Sequence, residues 1–393
     1  MKIPVIAHNY KQTSKQRKND ISVKSYIKSS SYFPLYEERE YIRSLNSTKI
    51  ERLLSKPFVY SLPGHREGVN QLKMFDDVIL TSSYDGEIIK WDLKNREIVK
   101  KYGKYQNAKI EILDEKNIFI SDGKVVNLLE DEVKFSYEVE DYVRNIYYNE
   151  NLMVCGYNNL LVFDKERMHY KNKFKGEYGF CVKENNLVVC GDGSHVILFD
   201  ERIEKEINRV KVGLCPNDIK INNEFYKLLV ANEDKNVYEV DMRNFKIKNY
   251  YGHTNSVLSV DYHPNKKDFI SGSMDMSIRI SGGKDIYYNN RMLEVNVVKY
   301  DSSGEYIISC SNDTSIRVWR SKADKKAVMS RREKNTMIYN EQLKEKYKDV
   351  KEIRRIRNHR FLPKKLKNSI KELNKEREAK KRKEEKRKNT ENK

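Results

Sequence analysis

At 393 residues the chain could hold two or three average domains or one large repeat architecture, and 38% apolar against 34% charged residues implies a strongly solvated portion. Its longest apolar runs, such as Leu160-Leu161-Val162-Phe163, fall far short of the ~18 residues a membrane helix needs, and Met1-Lys2-Ile3-Pro4 onward lacks a signal peptide's apolar core. A soluble intracellular protein is expected, with no membrane association.

The net charge of +19 is uneven. Residues 1–60 carry 12 Lys/Arg against 5 Asp/Glu, and residues 322–393 carry 28 against 12, which leaves 61–321 slightly acidic. Basic ends on a near-neutral body point to a folded platform with nucleic-acid-seeking extensions.

Residues 1–56 are read as an N-terminal extension. Beyond them, Gly64-His65 is followed by Ser83-Tyr84-Asp85-Gly86 and Ile88-Ile89-Lys90-Trp91-Asp92. The order recurs as Gly252-His253, Ser273-Met274-Asp275 and Ser277-Ile278-Arg279-Ile280-Ser281. Its second half returns as Ser311-Asn312-Asp313 and Ser315-Ile316-Arg317-Val318-Trp319. These are WD-repeat marks. In such a repeat a turn aspartate holds the imidazole, which links to a strand hydroxyl and the indole N–H, so each buried polar group has a partner. His65, Asp85, Trp91, His253, Asp275, Asp313 and Trp319 are accordingly read as a structural propeller network rather than as catalytic or ligand-binding groups.

Degenerate copies fill the gap. Asp122-Gly123-Lys124-Val125-Val126-Asn127-Leu128 copies the turn and strand, while Leu160-Leu161-Val162-Phe163-Asp164 and Val196-Ile197-Leu198-Phe199-Asp200 keep an aromatic before Asp. Val237-Tyr238-Glu239-Val240-Asp241 keeps only the Asp. Aligning Trp91, Leu128, Phe163, Phe199, Val240, Ser281 and Trp319 gives steps of 37, 35, 36, 41, 41 and 38. Seven near-even copies predict an all-β, seven-bladed WD40 propeller over 57–321. A ring must close, and Pro57-Phe58-Val59-Tyr60-Ser61-Leu62 is expected to complete the last blade beside Ser315–Arg320. Cys155 and Cys190 recur near the repeat period without a C-x-x-C pair, as buried strand residues do; neither metal nor cofactor is expected. His263-Pro264 reads as an incidental turn pair.

The period-two pattern stops after Trp319, and residues 322–393 read as a basic helical tail. Ser330-Arg331-Arg332-Glu333 is a capping box. Tyr339, Leu343 and Tyr347 then mark one helix face, followed by Val350, Ile353 and Ile356, and by Leu366, Ile370 and Leu373 after Pro363. Opposite these stripes stand Arg331, Arg332, Arg354, Arg355, Arg357, Arg360, Lys364, Lys365 and Lys367, the candidate RNA contacts. The last twenty residues lack a stripe and are expected to be disordered when free. Their run Lys380, Lys381, Arg382, Lys383, Lys386, Arg387 and Lys388 suits a nuclear-localisation signal.

Two blocks flanking the repeats carry a resemblance: 33–70, through Phe33-Pro34-Leu35-Tyr36-Glu37-Glu38-Arg39-Glu40-Tyr41-Ile42-Arg43 and Lys56-Pro57-Phe58, and the tail segments Arg332-Glu333-Lys334, Tyr339-Asn340-Glu341 and His359-Arg360-Phe361-Leu362-Pro363-Lys364. The chain resembles the Sof-type WD-repeat proteins. It departs in its capping box, where Arg331 stands in place of the family's proline. The resemblance implies a nucleolar protein of the small-subunit processome, the U3 snoRNP particle needed for 18S pre-rRNA processing and 40S subunit biogenesis. Pre-18S rRNA, U3 small nucleolar RNA and other processome proteins, WD-repeat subunits included, would be its partners.

Two rival classes stand against this reading. No nucleophile-elbow, Walker, H-E-x-x-H or zinc motif supports an enzyme or a small-molecule substrate. A substrate receptor for a cullin-type ubiquitin ligase would use Asp-x-Arg after a blade's third strand. Trp91-Asp92-Leu93-Lys94 places lysine there, while Asp200-Glu201-Arg202 and Asp241-Met242-Arg243 keep the pair without the tryptophan.

Overall fold

The protein's computed structural model describes residues 35–391 except 55–56, 106–107, 115–116, 131–132, 150, 164–169, 177, 185, 201, 203–204, 223–225, 266–267, 282–284, 322–329 and 359–361. Among the described residues, twenty-eight strands, β1 to β28 in chain order, form seven four-stranded antiparallel sheets. The aligned residues all fall on or beside the third strand of a sheet: β4 (Glu87–Asp92), β8 (Val125–Leu129), β12 (Asn159–Phe163), β16 (His195–Asp200), β20 (Asn236–Asp241), β24 (Ile278–Ile280) and β28 (Ile316–Arg320). Registers agree as well, with Trp91 opposite Ile79, Phe163 opposite Leu152, Phe199 opposite Val188 and Trp319 opposite Ile307.

Third strands are largely buried on both faces because each blade is sandwiched between two others; Leu80 and Ile88 of the first blade share one core with Ile110 and Ile120 of the second. Outer strands carry charge instead. β5 (Glu97–Lys104) exposes Lys101 and Lys104 along its free edge, which blunts edge-to-edge pairing. Closure uses β1 (Phe58–Leu62), which pairs antiparallel with β28 through Tyr60↔Val318, Ser61↔Arg317 and Leu62↔Ile316. The sheet order is β1, β28, β27 (Tyr306–Ser311), β26 (Val295–Tyr300).

The described residues divide into two compact units. One comprises the described residues within 1–57 and 322–361; the other comprises those within 58–321 and 362–393. In the first, α1 (Tyr36–Leu54) packs with α2 (Arg331–Lys346) and α3 (Lys351–Asn358). Ser330 Oγ accepts from the Glu333 N–H at 3.3 Å, and Glu333 Oε2 accepts from the Ser330 N–H at 3.0 Å, so the capping box is formed. The expected face of Tyr339, Leu343 and Tyr347 is buried, as is Ile353 of the next stripe, whose Val350 and Ile356 are half-buried; Tyr41 and Leu45 of α1 pack on this cluster. The face α1 turns inward is polar: Glu40, Ser44 and Thr48 are buried. Glu40 accepts from Tyr339 OH at 3.3 Å, Lys346 Nζ at 2.8 Å and Tyr347 OH at 3.2 Å, while Ser44 donates to the Leu343 carbonyl.

In the second unit α4 (Lys364–Glu391) follows Pro363, and the Arg377 guanidinium lies 4.7 Å over the Tyr251 ring. The final residues are thus helical through Glu391, contrary to the disorder expected. Lys, Arg, Glu and Ala are good helix formers, and i,i+4 pairs such as Glu378–Arg382 at 3.9 Å offset part of the charge density. No helix among the described residues is long and apolar enough to cross a membrane.

His263 is not incidental either. It is 5% exposed, accepts the Asn265 N–H at Nδ1 and lies 5.0 Å from the Tyr300 ring, with Gly304 so close that a Cβ there would clash.

Candidate nucleic-acid interface

The structural network differs from blade to blade. In the first blade Trp91 Nε1 donates to Thr81 Oγ1 at 2.9 Å, and His65 Nε2 lies 2.7 Å from the same oxygen. Burial pulls the His65 imidazole down to about 4, so it is neutral at physiological pH. Asp85, however, makes no hydrogen bond to it. In the sixth blade His253 Nδ1 meets Asp275 Oδ2 at 3.0 Å and Nε2 meets Ser271 Oγ at 2.8 Å; Ser281, in the tryptophan place, bonds Asp268 instead. In the seventh Trp319 Nε1 donates to Ser309 Oγ at 2.8 Å, and Asp313 accepts from Arg317.

The basic residues are placed in two groups. Arg331 and Arg332 on the first turn of α2 and Arg354, Arg355 and Arg357 on α3 are exposed and belong to the helical unit. Lys364, Lys365 and Lys367, exposed on the first turns of α4, belong to the propeller unit. Arg360 lies outside the described residues. Lys380, Lys381, Arg382, Lys383, Lys386 and Arg387 are exposed on α4, which also contains Lys388. At the rim, Asp200 and Asp241 accept backbone N–H groups of Arg202 and Arg243 at 2.9 Å, which closes their turns.

A cavity of about 220 Å³ opens among the inner strands, lined by Lys73, Lys109, Tyr147, Asp218, Lys220 and Lys299 among others. The acids nearby are committed: Glu111 to Lys73, Asp218 to the Ser259 hydroxyl and the Val260 N–H, Asp261 to the Tyr300 N–H. Burial, with Lys220 and Lys73 alongside, pulls the Lys299 ammonium down to about 8 from 10.5. The unfolded chain then binds more protons between those values, so this group's penalty is complete below pH 8 and relieved as pH rises above it. Lys299→Met is expected to stabilise the propeller by about 1–2 kcal/mol at pH 7 and to remove that rise, as urea unfolding at pH 7, 8 and 9 would record.

Comparison with known proteins places these features together. A Sof1-like domain matches residues 321–393, and WD domain, G-beta repeats match 56–92, 244–280 and 290–320. Protein SOF1 of Saccharomyces cerevisiae is 31% identical, spanning 85% of this chain and 80% of its own. The chain belongs to the Sof1-like WD-repeat family. The human DDB1- and CUL4-associated factor 13 is 30% identical across 98% of this chain and 94% of its own length. The propeller of Doa1 superposes with a TM-score of 0.58 at 16% identity, covering 70% of this chain and 98% of that one, which shows the fold alone.

For a Sof1-like chain, the lysine-lined cavity is the feature the sequence reading missed. Its signal was an offset: Lys73, Lys220 and Lys299 each stand four residues after Val69, Pro216 and Val295, the first inner-strand residues of their blades. The arginines of α2 and α3 are exposed, whereas the imidazoles of His65, His253 and His263 are buried.

Proposed function

We propose that this Sof1-like protein is a non-catalytic scaffold of the small-subunit processome in the nucleolus, holding proteins through its propeller and pre-18S rRNA or U3 RNA through its basic helices. The observation that carries the reading is one chain joining a seven-bladed ring to a Sof1-like domain whose arginines 331, 332, 354, 355 and 357 are exposed. Exposed arginines on rigid helices fix phosphates without reading bases, so site choice falls to the assembled particle. Four to eight single-strand phosphate contacts would give a salt slope of roughly −3 to −5. Replacing Arg354, Arg355, Arg357, Lys364, Lys365 and Lys367 with glutamine is expected to flatten that slope while propeller–protein contacts persist, and to impair 18S but not large-subunit rRNA maturation. An unchanged slope in the variant overturns the RNA assignment. Replacing the 380–388 run should chiefly impair nuclear entry.

A second reading, a cullin-ligase substrate receptor, is favoured by the similarity to vertebrate DDB1- and CUL4-associated factor 13. Lys94, where the receptor motif needs arginine, instead pairs with Asp77 on the rim. Co-purification of a ligase adaptor that is lost on Asp241→Ala or Arg243→Ala would support that reading.

A further inference from the structure

Three blades build a turn aspartate over an inner hydroxyl, and two of them give it a cation from their own chain. In the sixth blade Arg279 lies 3.8 Å from Asp275, which also accepts the Thr254 N–H and the Ser277 hydroxyl. In the seventh Arg317 is bonded to Asp313. Arg279 stands opposite Ser271, and Arg317 opposite Ser309. The residue at that register in the first blade, opposite Thr81, is Ile89. The place of Ser277 is taken by Glu87, a second carboxylate.

Donor atoms of His65, Asp85 and Glu87 all lie within 4.8 Å of one another. His65 Nδ1, Asp85 Oδ2 and Glu87 Oε2 are each buried without a hydrogen-bond partner, and His65 is only 6% exposed. Whichever ring nitrogen carries the imidazole proton, at most one hydrogen lies among three lone-pair-bearing atoms. Thr81 sharpens the point. Its oxygen accepts from Trp91 and lies 2.7 Å from His65 Nε2, so Nε2 is the partnered nitrogen of the ring and Nδ1 the orphaned one. Lys101, whose field reaches the imidazole, is exposed and forms no ion pair with the cluster.

We infer that His65, Asp85 and Glu87 bind a divalent transition-metal ion of the zinc class, which supplies the positive charge that Arg279 and Arg317 supply in the other blades. One nitrogen and two carboxylate oxygens suit Zn²⁺ or Co²⁺ better than Mg²⁺ or Ca²⁺, which prefer all-oxygen shells. Tetrahedral ligands sit about 3.4 Å apart at bond lengths near 2.1 Å, so closure needs only rotamer adjustment from the present spread. His65 lies between β1 and the first inner strand, whereas Asp85 and Glu87 lie in the turn and third strand. The ion would therefore staple the segment leaving the closing strand to the blade it enters. Its role would be structural.

Chelator-treated full-length protein titrated with Zn²⁺, Co²⁺, Mg²⁺ and Ca²⁺ tests this. Expected are one equivalent of Zn²⁺ or Co²⁺ bound, visible Co²⁺ absorption bands of a low-coordinate site, and an unfolding midpoint that rises with Zn²⁺ concentration but not with Mg²⁺ or Ca²⁺. Glu87→Ser, which copies Ser277, should fold and lose at least about 100-fold in Zn²⁺ affinity, more than outer-shell losses cost. Ile89→Arg, which copies Arg279, should raise the metal-free midpoint and abolish the Zn²⁺ response. The assignment is overturned if the wild type takes up no stoichiometric ion, or if Glu87→Ser keeps the full Zn²⁺ shift.

Discussion

Trp319→Ala is expected to destabilise the propeller by about 3–5 kcal/mol, through the cavity left by a 1%-exposed indole and the orphaned Ser309 hydroxyl. The seam makes the loss structural beyond its blade. The indole stacks on Tyr287 at 5.9 Å and meets Phe58 of the closing strand edge-on at 5.4 Å, so its removal loosens the last blade and the strand that completes it. Trp319→Phe keeps most of the ring and should lose far less. Urea unfolding followed through Trp91, the chain's other tryptophan, separates the two variants. Equal midpoints for Ala and wild type would refute the role given to this seam.

Glu40→Ala should cost the helical unit about 3–5 kcal/mol, because it strands the Lys346 ammonium, 8% exposed, with two tyrosine hydroxyls around it. Both tryptophans sit in the propeller, so the readouts separate: helical circular dichroism should melt early while the fluorescence midpoint holds. The double replacement Glu40→Leu with Lys346→Met should recover most of the loss, since an apolar pair of similar shape replaces a buried charged one. This dependence also alters what truncation does. Deleting 322–393 leaves every ring strand in place but removes the partners of α1 and all of α4.

Most of the ring was legible because each blade repeats a local pattern: a turn residue, a short apolar strand, an aromatic or aliphatic residue and often aspartate. Closure was legible from what a ring cannot leave open. The helix pairing was not. Glu40, Ser44 and Thr48 recur every four residues, but a helix face is sought through apolar stripes, and the partners of Glu40 and Ser44 stand some 300 residues away. The burial of His263 is hidden from the sequence for a related reason. Its neighbours in sequence are those of a surface turn, and what buries it, Tyr300 and Gly304, comes from the next blade. The end of α4 looks disordered by charge density alone, although the same residues are good helix formers. The missing cation at Asp85 could be seen only by superposing blades, since Ile89 is unremarkable in its own strand.

The closing strand has a consequence for synthesis. β1 leaves the ribosome early, and its partner from Ile316 onward follows about 250 residues later. At ~5–20 residues per second this strand stays unpaired for roughly 12–50 s. Throughout that interval the nascent chain exposes Val59, Tyr60 and Leu62 next to a growing stack of blades with open apolar faces, a state prone to pairing with other chains. Blades can form one after another as they emerge, but the final registration must await the last strand. Production of this protein should therefore depend on chaperone capacity during elongation far more than its folded stability would suggest, and slowed translation should lower the soluble yield rather than raise it.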